Sequence, residues 1–158
     1  MECAKAEFLK KGFQAAQLKD IVAAAKVTTG AVYRHFNDKE ALFFAFSEDV
    51  YHYTLDFLDN VESYDTVGIK EAIERDSIES SYMQAMKYVN YMYEHFEEYQ
   101  LLLKYSKGSR VENFIEEIAD QYTKQNAQFV KAAYEAGYAK CLPSDIEIHI
   151  LTHGYITA

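Results

Sequence analysis

The chain is poor in the residues that make turns and cross-links. It contains one proline, six glycines and two cysteines in 158 residues. A fold of many short strands needs turn-forming residues between its strands, so this scarcity predicts an all-α protein and argues against a sandwich or a barrel. Cys3 and Cys141 are too few for a disulfide framework. We therefore expect free thiols and a reducing, cytoplasmic location.

Long apolar runs and catalytic motifs are also missing. The longest stretch without Asp, Glu, Lys or Arg is 148–158, well short of the roughly 20 residues that a membrane-spanning helix needs. The N-terminus has no basic start followed by an apolar run, so it does not look like a secretory signal. No phosphate-binding glycine loop, dinucleotide-binding fingerprint or nucleophile elbow occurs. We expect no membrane insertion, no cofactor and no enzymatic activity.

The net charge of −9 is distributed unevenly. Residues 1–39 contain seven basic and four acidic residues, whereas the chain beyond Val50 contains nine basic and eighteen acidic ones. Phosphate binding depends on where positive groups cluster rather than on the global charge. The N-terminal part is therefore the candidate surface for nucleic acid.

Apolar residues recur at helical spacing along almost the whole chain. The N-terminal part is predicted to form helices over Cys3–Lys11, ended by Gly12, then Leu18–Ala25, then Thr28–His35, and a long helix from Asn37 to about Asp59. In this prediction Asn37 and Glu40 form the capping pair of the long helix, which links two halves of the protein.

The second half is predicted to follow a linker at 63–68. The predicted helices are one with a buried stripe of Tyr82, Met86, Val89, Tyr93 and Phe96, a long one from Val111 to Ala136 ended by Gly137, and a last one that starts at Ser144. Asn90 and Gln125 interrupt apolar faces, so each needs a hydrogen-bond partner: the other amide, a backbone carbonyl or a ligand.

Two of the N-terminal helices have the dimensions of a helix-turn-helix motif. Ala23, Ala24 and Ala25 supply small residues where the helices cross, and Val27 supplies an apolar residue in the turn. Polar groups stand on the outer face of the second helix. Helical bundles of other functions also show such a pattern, so the spacing alone does not establish DNA binding.

A longer string of residues is more specific. It consists of Phe8, Gly12-Phe13, Leu18-Lys19-Asp20-Ile21, Val27-Thr28, Gly30-Ala31-Val32-Tyr33-Arg34-His35-Phe36 and Asp38-Lys39-Glu40-Ala41-Leu42. This string resembles the N-terminal DNA-binding domain of the TetR family of bacterial transcriptional regulators, over about the first 45 residues. The resemblance implies a helix-turn-helix domain at residues 1–45, a ligand-binding and dimerisation domain at 46–158, and a chain cropped at both ends.

The resemblance also implies which residues contact DNA. They are Gln17, Lys19, Thr28, Thr29, Gly30, Ala31, Tyr33, Arg34, His35 and Lys39. Thr29, Gly30, Ala31 and Arg34 would face the bases, while Tyr33, His35 and Lys39 would bind phosphates. Lys39 would do so at the positive end of a helix.

Other roles stay open for some of these residues. For Tyr33 the less favoured alternative is packing against the following helix, and for His35 and Lys39 it is a solvated position on the surface. The chain departs from the family at Lys26, where glycine is usual because the turn favours a left-handed backbone. It also departs at Gln17, where a hydroxyl residue usually caps the second helix.

The C-terminal half has no specific motif but is rich in tyrosine, which lines pockets for amphipathic ligands as well as packing in cores. The predicted ligand pocket consists of Met86, Val89, Asn90, Tyr93, Tyr122 and Phe129. The last two helices are predicted to form a four-helix dimer interface that partly buries Ile118, Phe129, Ile146 or Ile150.

His149 and His153 stand four residues apart, which is half of a metal site, but no third ligand is tied to them by spacing. We therefore expect interface histidines and no metal. The function we expect is a repressor that binds palindromic operator DNA as a homodimer and is released by an unknown small molecule. The alternatives are a constitutive or activating regulator, and a helical enzyme or metal-binding bundle with structural N-terminal helices.

Overall fold

A computed structural model describes residues 1–59, 68, 70 and 78–157. Within these residues the protein has nine α-helices and no strand, which confirms the predicted all-α class. The helices are α1 Glu2–Ala15, α2 Leu18–Ala25, α3 Thr29–Tyr33, α4 Lys39–Phe44, α5 Glu48–Asp59, α6 Ile78–Glu94, α7 Phe96–Lys104, α8 Phe114–Glu135 and α9 Asp145–Thr157. In the same part of the chain, no helix combines the length and the apolar character needed to cross a bilayer. The predicted linker at 63–68 lies, except for Gly68, outside the described residues.

The chain divides into two compact units. The first unit joins Met1–Thr54 with Met92–Phe114, and the second takes its described residues from Leu55–Tyr91 and Ile115–Ala158. The first unit therefore combines the predicted DNA-binding segment with a segment from the middle of the chain. The functional boundary at residue 45 stays a prediction, because these units are defined by packing alone.

Aromatic side chains form the core of the first unit. Phe8 and Phe43 are both fully buried, and their rings meet edge to face with centroids 5.0 Å apart. Phe13 joins them, 5.1 Å from Phe43. It reaches this position because Gly12 kinks α1 with φ 75° and ψ 164°, a conformation that glycine adopts without steric cost. The helix was predicted to end at Gly12, but it resumes and ends at Ala15.

The predicted continuous helix from Asn37 to Asp59 is wrong. It is two helices, α4 and α5, separated by a tight turn at residues 45–47. There the N–H groups of Phe46 and Ser47 bond to carbonyls only three residues back, and the buried Ser47 hydroxyl donates to the carbonyl of Phe44. A serine that competes for backbone partners interrupts a helix in this way. The cap was also predicted one residue early, because the carboxylate of Asp38 accepts the N–H of Ala41.

In the second unit, polar side chains of α8 bond to their neighbours. The amide of Gln125 donates to the backbone carbonyl of Leu58. A backbone carbonyl is one of the three kinds of partner that the sequence left open for it. Asn126 donates to the hydroxyl of the buried Thr152 at 3.0 Å. The last residue of α8 is Glu135, and Gly137, which was predicted to end the helix, follows in the turn with φ 83°.

The last helix begins as the sequence predicts. Ser144 and Glu147 form a reciprocal cap, in which the Glu147 carboxylate accepts from the Ser144 N–H at 2.8 Å. Hydrogen bonds from the hydroxyl and the N–H of Ser144 lower the pKa of Glu147.

The predicted buried stripe of α6 is wrong. Tyr82, Met86, Val89, Tyr93 and Phe96 all have exposed side chains. The helix carries apolar residues on more than one side, so helical spacing does not reveal which side packs. On another side of the helix, the ring of Tyr88 stacks on Phe57 with centroids 4.5 Å apart.

Candidate DNA-binding surface

Helices α2 and α3 form the predicted helix-turn-helix. The Thr28 hydroxyl accepts the N–H of Ala31 at 3.2 Å and caps α3, as predicted. In the turn, Lys26 has φ 54° and ψ 38°, so a lysine occupies the left-handed conformation. The N–H of Val27 then bonds to the carbonyl of Val22 at 3.1 Å, which closes the turn. Gln17 precedes α2 but makes no side-chain cap.

The predicted DNA-contacting side chains are mostly open to solvent. The exposed ones are Gln17, Lys19, Thr28, Thr29, Gly30, Tyr33, Arg34 and His35, while Ala31 and Lys39 are partly buried. Neither Lys19 nor Arg34 forms a salt bridge or a side-chain hydrogen bond with any described residue. Both cations are therefore available to DNA.

Two other cations of the N-terminal segment are neutralised within the protein. The ammonium of Lys5 lies 2.6 Å from Glu97 and 2.8 Å from Glu98. Burial opposes the charge of Glu98, but the hydrogen bond and the charge of Lys5 outweigh it and hold the pKa of that carboxyl below its usual value. Lys11 similarly pairs with Glu7 at 2.5 Å and with Asp20 at 2.9 Å.

Lys39, predicted to bind a phosphate, already has partners. Its ammonium donates to the backbone carbonyl of Phe13 at 2.8 Å and to that of Ala16 at 3.1 Å. It also lies 4.3 Å from the centre of the Phe13 ring. The side chain is partly buried between α4 and the corner that joins α1 to α2.

Residues 105–110, in the middle of the chain, contact the N-terminal domain, which no pattern in the sequence predicts. The carbonyl of Tyr105 accepts the N–H of Phe13 at 2.8 Å, and the N–H of Arg110 donates to Glu40 at 2.8 Å. The Arg110 guanidinium lies 3.9 Å from the centre of the Phe44 ring. Contacts between residues 66 to 92 positions apart leave no local spacing pattern, so no signal in the sequence identifies them.

Residues 1–46 match the family model for bacterial regulatory proteins of the tetR family. This N-terminal domain belongs to the TetR family. The match covers nearly the same residues as the resemblance in the sequence, so it confirms that resemblance for the N-terminal domain. No curated protein and no solved structure gives a significant match to the chain.

The predicted ligand pocket stays a prediction. Tyr93 lies in the first unit, and the other five residues lie in the second. Tyr122 is half-buried, and burial raises the pKa of its hydroxyl, whereas Met86, Val89, Asn90, Tyr93 and Phe129 are exposed. The second unit also contains a cleft of about 500 Å³ that the sequence analysis did not predict. Its lining residues are Leu55, Asp59, Glu117, Asp120, Gln121 and Lys124.

The two C-terminal histidines bond to residues of α8. His149 Nδ1 lies 3.2 Å from the Thr123 hydroxyl, and His153 Nε2 lies 3.1 Å from Glu116. Across the described ranges, no group of three or more His, Cys, Asp or Glu side chains is placed to hold a metal ion. The geometry of the pair gives no support to the metal-binding alternative.

Proposed function

We propose that this TetR-family regulator is a cytoplasmic repressor that binds palindromic operator DNA as a homodimer and is released by a small molecule. The observation that carries the proposal is the exposed face of α3, which presents hydroxyls and an unpaired cation within a domain that matches a DNA-binding family. Side chains of this kind read base edges in the major groove.

Gly30 supports close approach to DNA. A Cβ at this position would meet only the Thr28 hydroxyl, at 4.0 Å, so the protein itself has room for a side chain. Its φ is not in the left-handed region, so the backbone does not require glycine either. The absence of a side chain there is explained if α3 lies against the floor of the groove, with Thr29, Ala31 and Arg34 beside it.

Around α3, the remaining predicted contacts suit the sugar-phosphate backbone. Tyr33 and His35 at the end of α3, and Gln17 and Lys19 at the start of α2, present exposed hydrogen-bond donors. Thr28, which caps α3, is also exposed. Contacts of this kind fix the register of the protein on the duplex without reading its sequence.

A substitution at Gly30 tests this arrangement. Gly30→Leu should fold normally but lose operator binding, because the side chain would enter the space that the bases occupy. Thermal unfolding of Gly30→Leu beside the parent protein separates a loss of folding from a loss of binding. Equal operator affinity for Gly30→Leu and the parent would remove α3 from the groove.

The exposed side of α9 supports the homodimer. Ile146, Ile150, Leu151 and Tyr155 are all more than 60% exposed, and Tyr155 reaches 87%. Soluble monomers rarely leave such an apolar patch uncovered, so a second copy of the chain is its proposed cover. A dimer is also needed to place two α3 helices in successive major grooves, about 34 to 36 Å apart.

Sedimentation measures the proposed dimer directly. Ile150→Asp should give monomers that no longer hold a palindromic duplex, because an aspartate would be buried without a partner. Leu142→Asp makes the same exchange at an exposed residue before the helix and should stay dimeric. If Ile150→Asp also stays dimeric, the interface lies elsewhere.

The small-molecule response rests on the tyrosine-rich half of the chain. A ligand changes DNA binding only if it binds the two conformations with different affinities, and DNA must then weaken the ligand by the same factor. Tyr122 supplies a half-buried hydroxyl, which is protonated at neutral pH and can donate a hydrogen bond. It is the member of the predicted pocket best placed to bind a polar group of a ligand.

Tyr122→Ala and Tyr93→Ala test the predicted pocket. DNA binding should persist while release by an inducer, found by screening compounds against the DNA complex, is lost. A full response to that inducer in both variants would assign these tyrosines to packing. A protein that binds DNA but is released by no compound would favour the constitutive regulator.

A further inference from the structure

We propose that Lys39 is a positioning residue, which fixes the corner between α1 and α2 against α4 so that α2 and α3 meet DNA in the correct orientation. The proposal rests on the proposed operator binding and replaces the predicted phosphate contact of Lys39. An ammonium has three N–H donors. Two of them are used on backbone carbonyls, those of Phe13 and Ala16, and the charge lies over the Phe13 ring.

The carbonyls that Lys39 binds need a donor from elsewhere. The last turn of a helix leaves its carbonyls without intrahelical partners. Gly12 breaks the helical conformation of α1 three residues before its end, and Ala16 is extended with φ −66° and ψ 134°. A cation at a helix C-terminus satisfies such carbonyls and is favoured by the helix dipole. Lys39 does this for α1 from a position 23 to 26 residues away in sequence.

The other end of this link is fixed by α4. Lys39 is the first residue of α4, where the carboxylate of Asp38 caps the helix through the N–H of Ala41 at 2.7 Å. The same helix buries Leu42 and Phe43 in the core. The backbone of Lys39 is therefore fixed by a capped helix that packs into the core, which limits where its ammonium can lie.

The corner that Lys39 binds leads directly into the DNA-binding motif. Ala16 is followed by Gln17, and α2 begins at Leu18. Loss of the Lys39 bonds would release the two carbonyls and the start of α2 together. All DNA contacts of α2 and α3 depend on that orientation, so the substitution should lower selectivity for the operator as well as affinity.

A phosphate contact would behave differently. The two carbonyls take two of the three N–H donors of the ammonium, so only one donor is left for a phosphate. Removing a phosphate contact weakens binding to all duplexes alike and reduces the slope of log K against log salt by about 0.9. Removing a positioning residue should leave the slope unchanged while reducing the preference for operator over scrambled DNA. The two roles therefore differ in both measurements.

The experiment compares Lys39→Met with Lys19→Met in the full chain. Lys19 is an exposed cation with no ion pair among the described residues, so its loss removes the same charge without a structural link. The probes are a 30-base-pair duplex that the unmodified protein selects from a random pool, and a scrambled duplex of the same composition. Affinities are measured over a range of salt concentrations at a temperature well below unfolding.

For Lys39→Met we expect operator affinity to fall at least tenfold, with an unchanged salt slope and a smaller operator-to-scrambled ratio. For Lys19→Met we expect a slope lower by about 1.8, because one phosphate contact is lost in each of the two subunits, and an unchanged ratio. The proposal is overturned if Lys39→Met lowers the slope by that amount and keeps the ratio. If Lys39→Met does not fold, Lys39→Gln takes its place, because a glutamine side chain keeps an N–H donor.

Amide hydrogen exchange tests the positioning without DNA. In Lys39→Met the amides of Ile21 and Val22, near the start of α2, should exchange at least tenfold faster, whereas those of Lys19→Met should match the parent. Unchanged protection in Lys39→Met would overturn the link. Because this readout needs no duplex, a protein that failed to bind operator would disprove the proposed function and leave the exchange result to decide the role of Lys39.

Discussion

The left-handed residue in the turn before the recognition helix makes a sharp stability prediction. Lys26 is the one residue other than glycine with a positive φ within the described part of the chain. For an L-residue this conformation costs roughly 1–2 kcal/mol, because Cβ approaches the following carbonyl oxygen. Lys26→Gly removes that cost. The exposed lysine side chain forms no hydrogen bond or ion pair with the described residues, so its loss removes no attractive contact.

Glycine also has a disadvantage, because it increases the conformational freedom of the unfolded chain. That effect costs about 0.4–1 kcal/mol. The difference predicts that Lys26→Gly raises the free energy of unfolding by about 0.5–1 kcal/mol. For a chain of this size such a gain raises the melting temperature by about 1–4 °C.

Lys26→Ala is the matched control. It removes the same charge and the same side-chain atoms beyond Cβ, but it keeps the Cβ that causes the strain. Thermal and urea unfolding, followed by circular dichroism, should show a gain for Lys26→Gly and none for Lys26→Ala. Equal gains in both variants would refute the argument from strain and assign the effect to charge. A lower stability for Lys26→Gly would mean that the turn is not left-handed in solution.

The remaining stability predictions concern the first unit. Phe8→Ala should lower the free energy of unfolding by about 3–5 kcal/mol, because it leaves a cavity at the centre of the aromatic core, and a loss below 1 kcal/mol in urea unfolding would contradict that core. Asp38→Ala should cost about 0.5–2 kcal/mol by removing the cap on the Ala41 N–H, whereas Asp38→Asn should keep most of it. The folded pKa of Glu98 is below its ordinary value of 4.5, so its bond to Lys5 stabilises the fold fully above that value and is lost as the pH falls through the folded pKa. The stability difference between the parent and Glu98→Gln should accordingly vanish in strong acid, and a constant difference from neutral pH into acid would contradict it.

Local signals explain what the sequence predicts correctly. The Thr28 cap, the left-handed turn at Lys26, the turn at Gly137 after α8 and the Ser144 cap each depend on residues within about four positions of one another. Hydrogen bonds and steric limits of the backbone determine such features directly. The helix-turn-helix consists largely of features of this kind, which is why the sequence alone predicts the two helices within residues 18–36.

Packing between distant segments explains the errors. The apolar run through α4 and α5 gives no hint that Ser47 turns its hydroxyl onto the backbone and separates the two helices. In α6, apolar residues recur at helical spacing on both the exposed and the packed side, so the spacing does not identify which side is buried. The carbonyl partners of Lys39 are equally absent from any sequence pattern, because they are defined only once Gly12 has kinked α1.

The pairing of charges within the first unit predicts how strongly salt weakens DNA binding. Of the seven cations in residues 1–39, Lys5 and Lys11 are neutralised by carboxylates and Lys39 is held on carbonyls. The four that remain are Lys10, Lys19, Lys26 and Arg34. A dimer thus offers about eight such cations, and at about 0.9 per phosphate contact the slope of log K against log salt should be no steeper than about −7. A steeper slope in operator titrations would require Lys39, His35 or residues beyond this segment to bind phosphate.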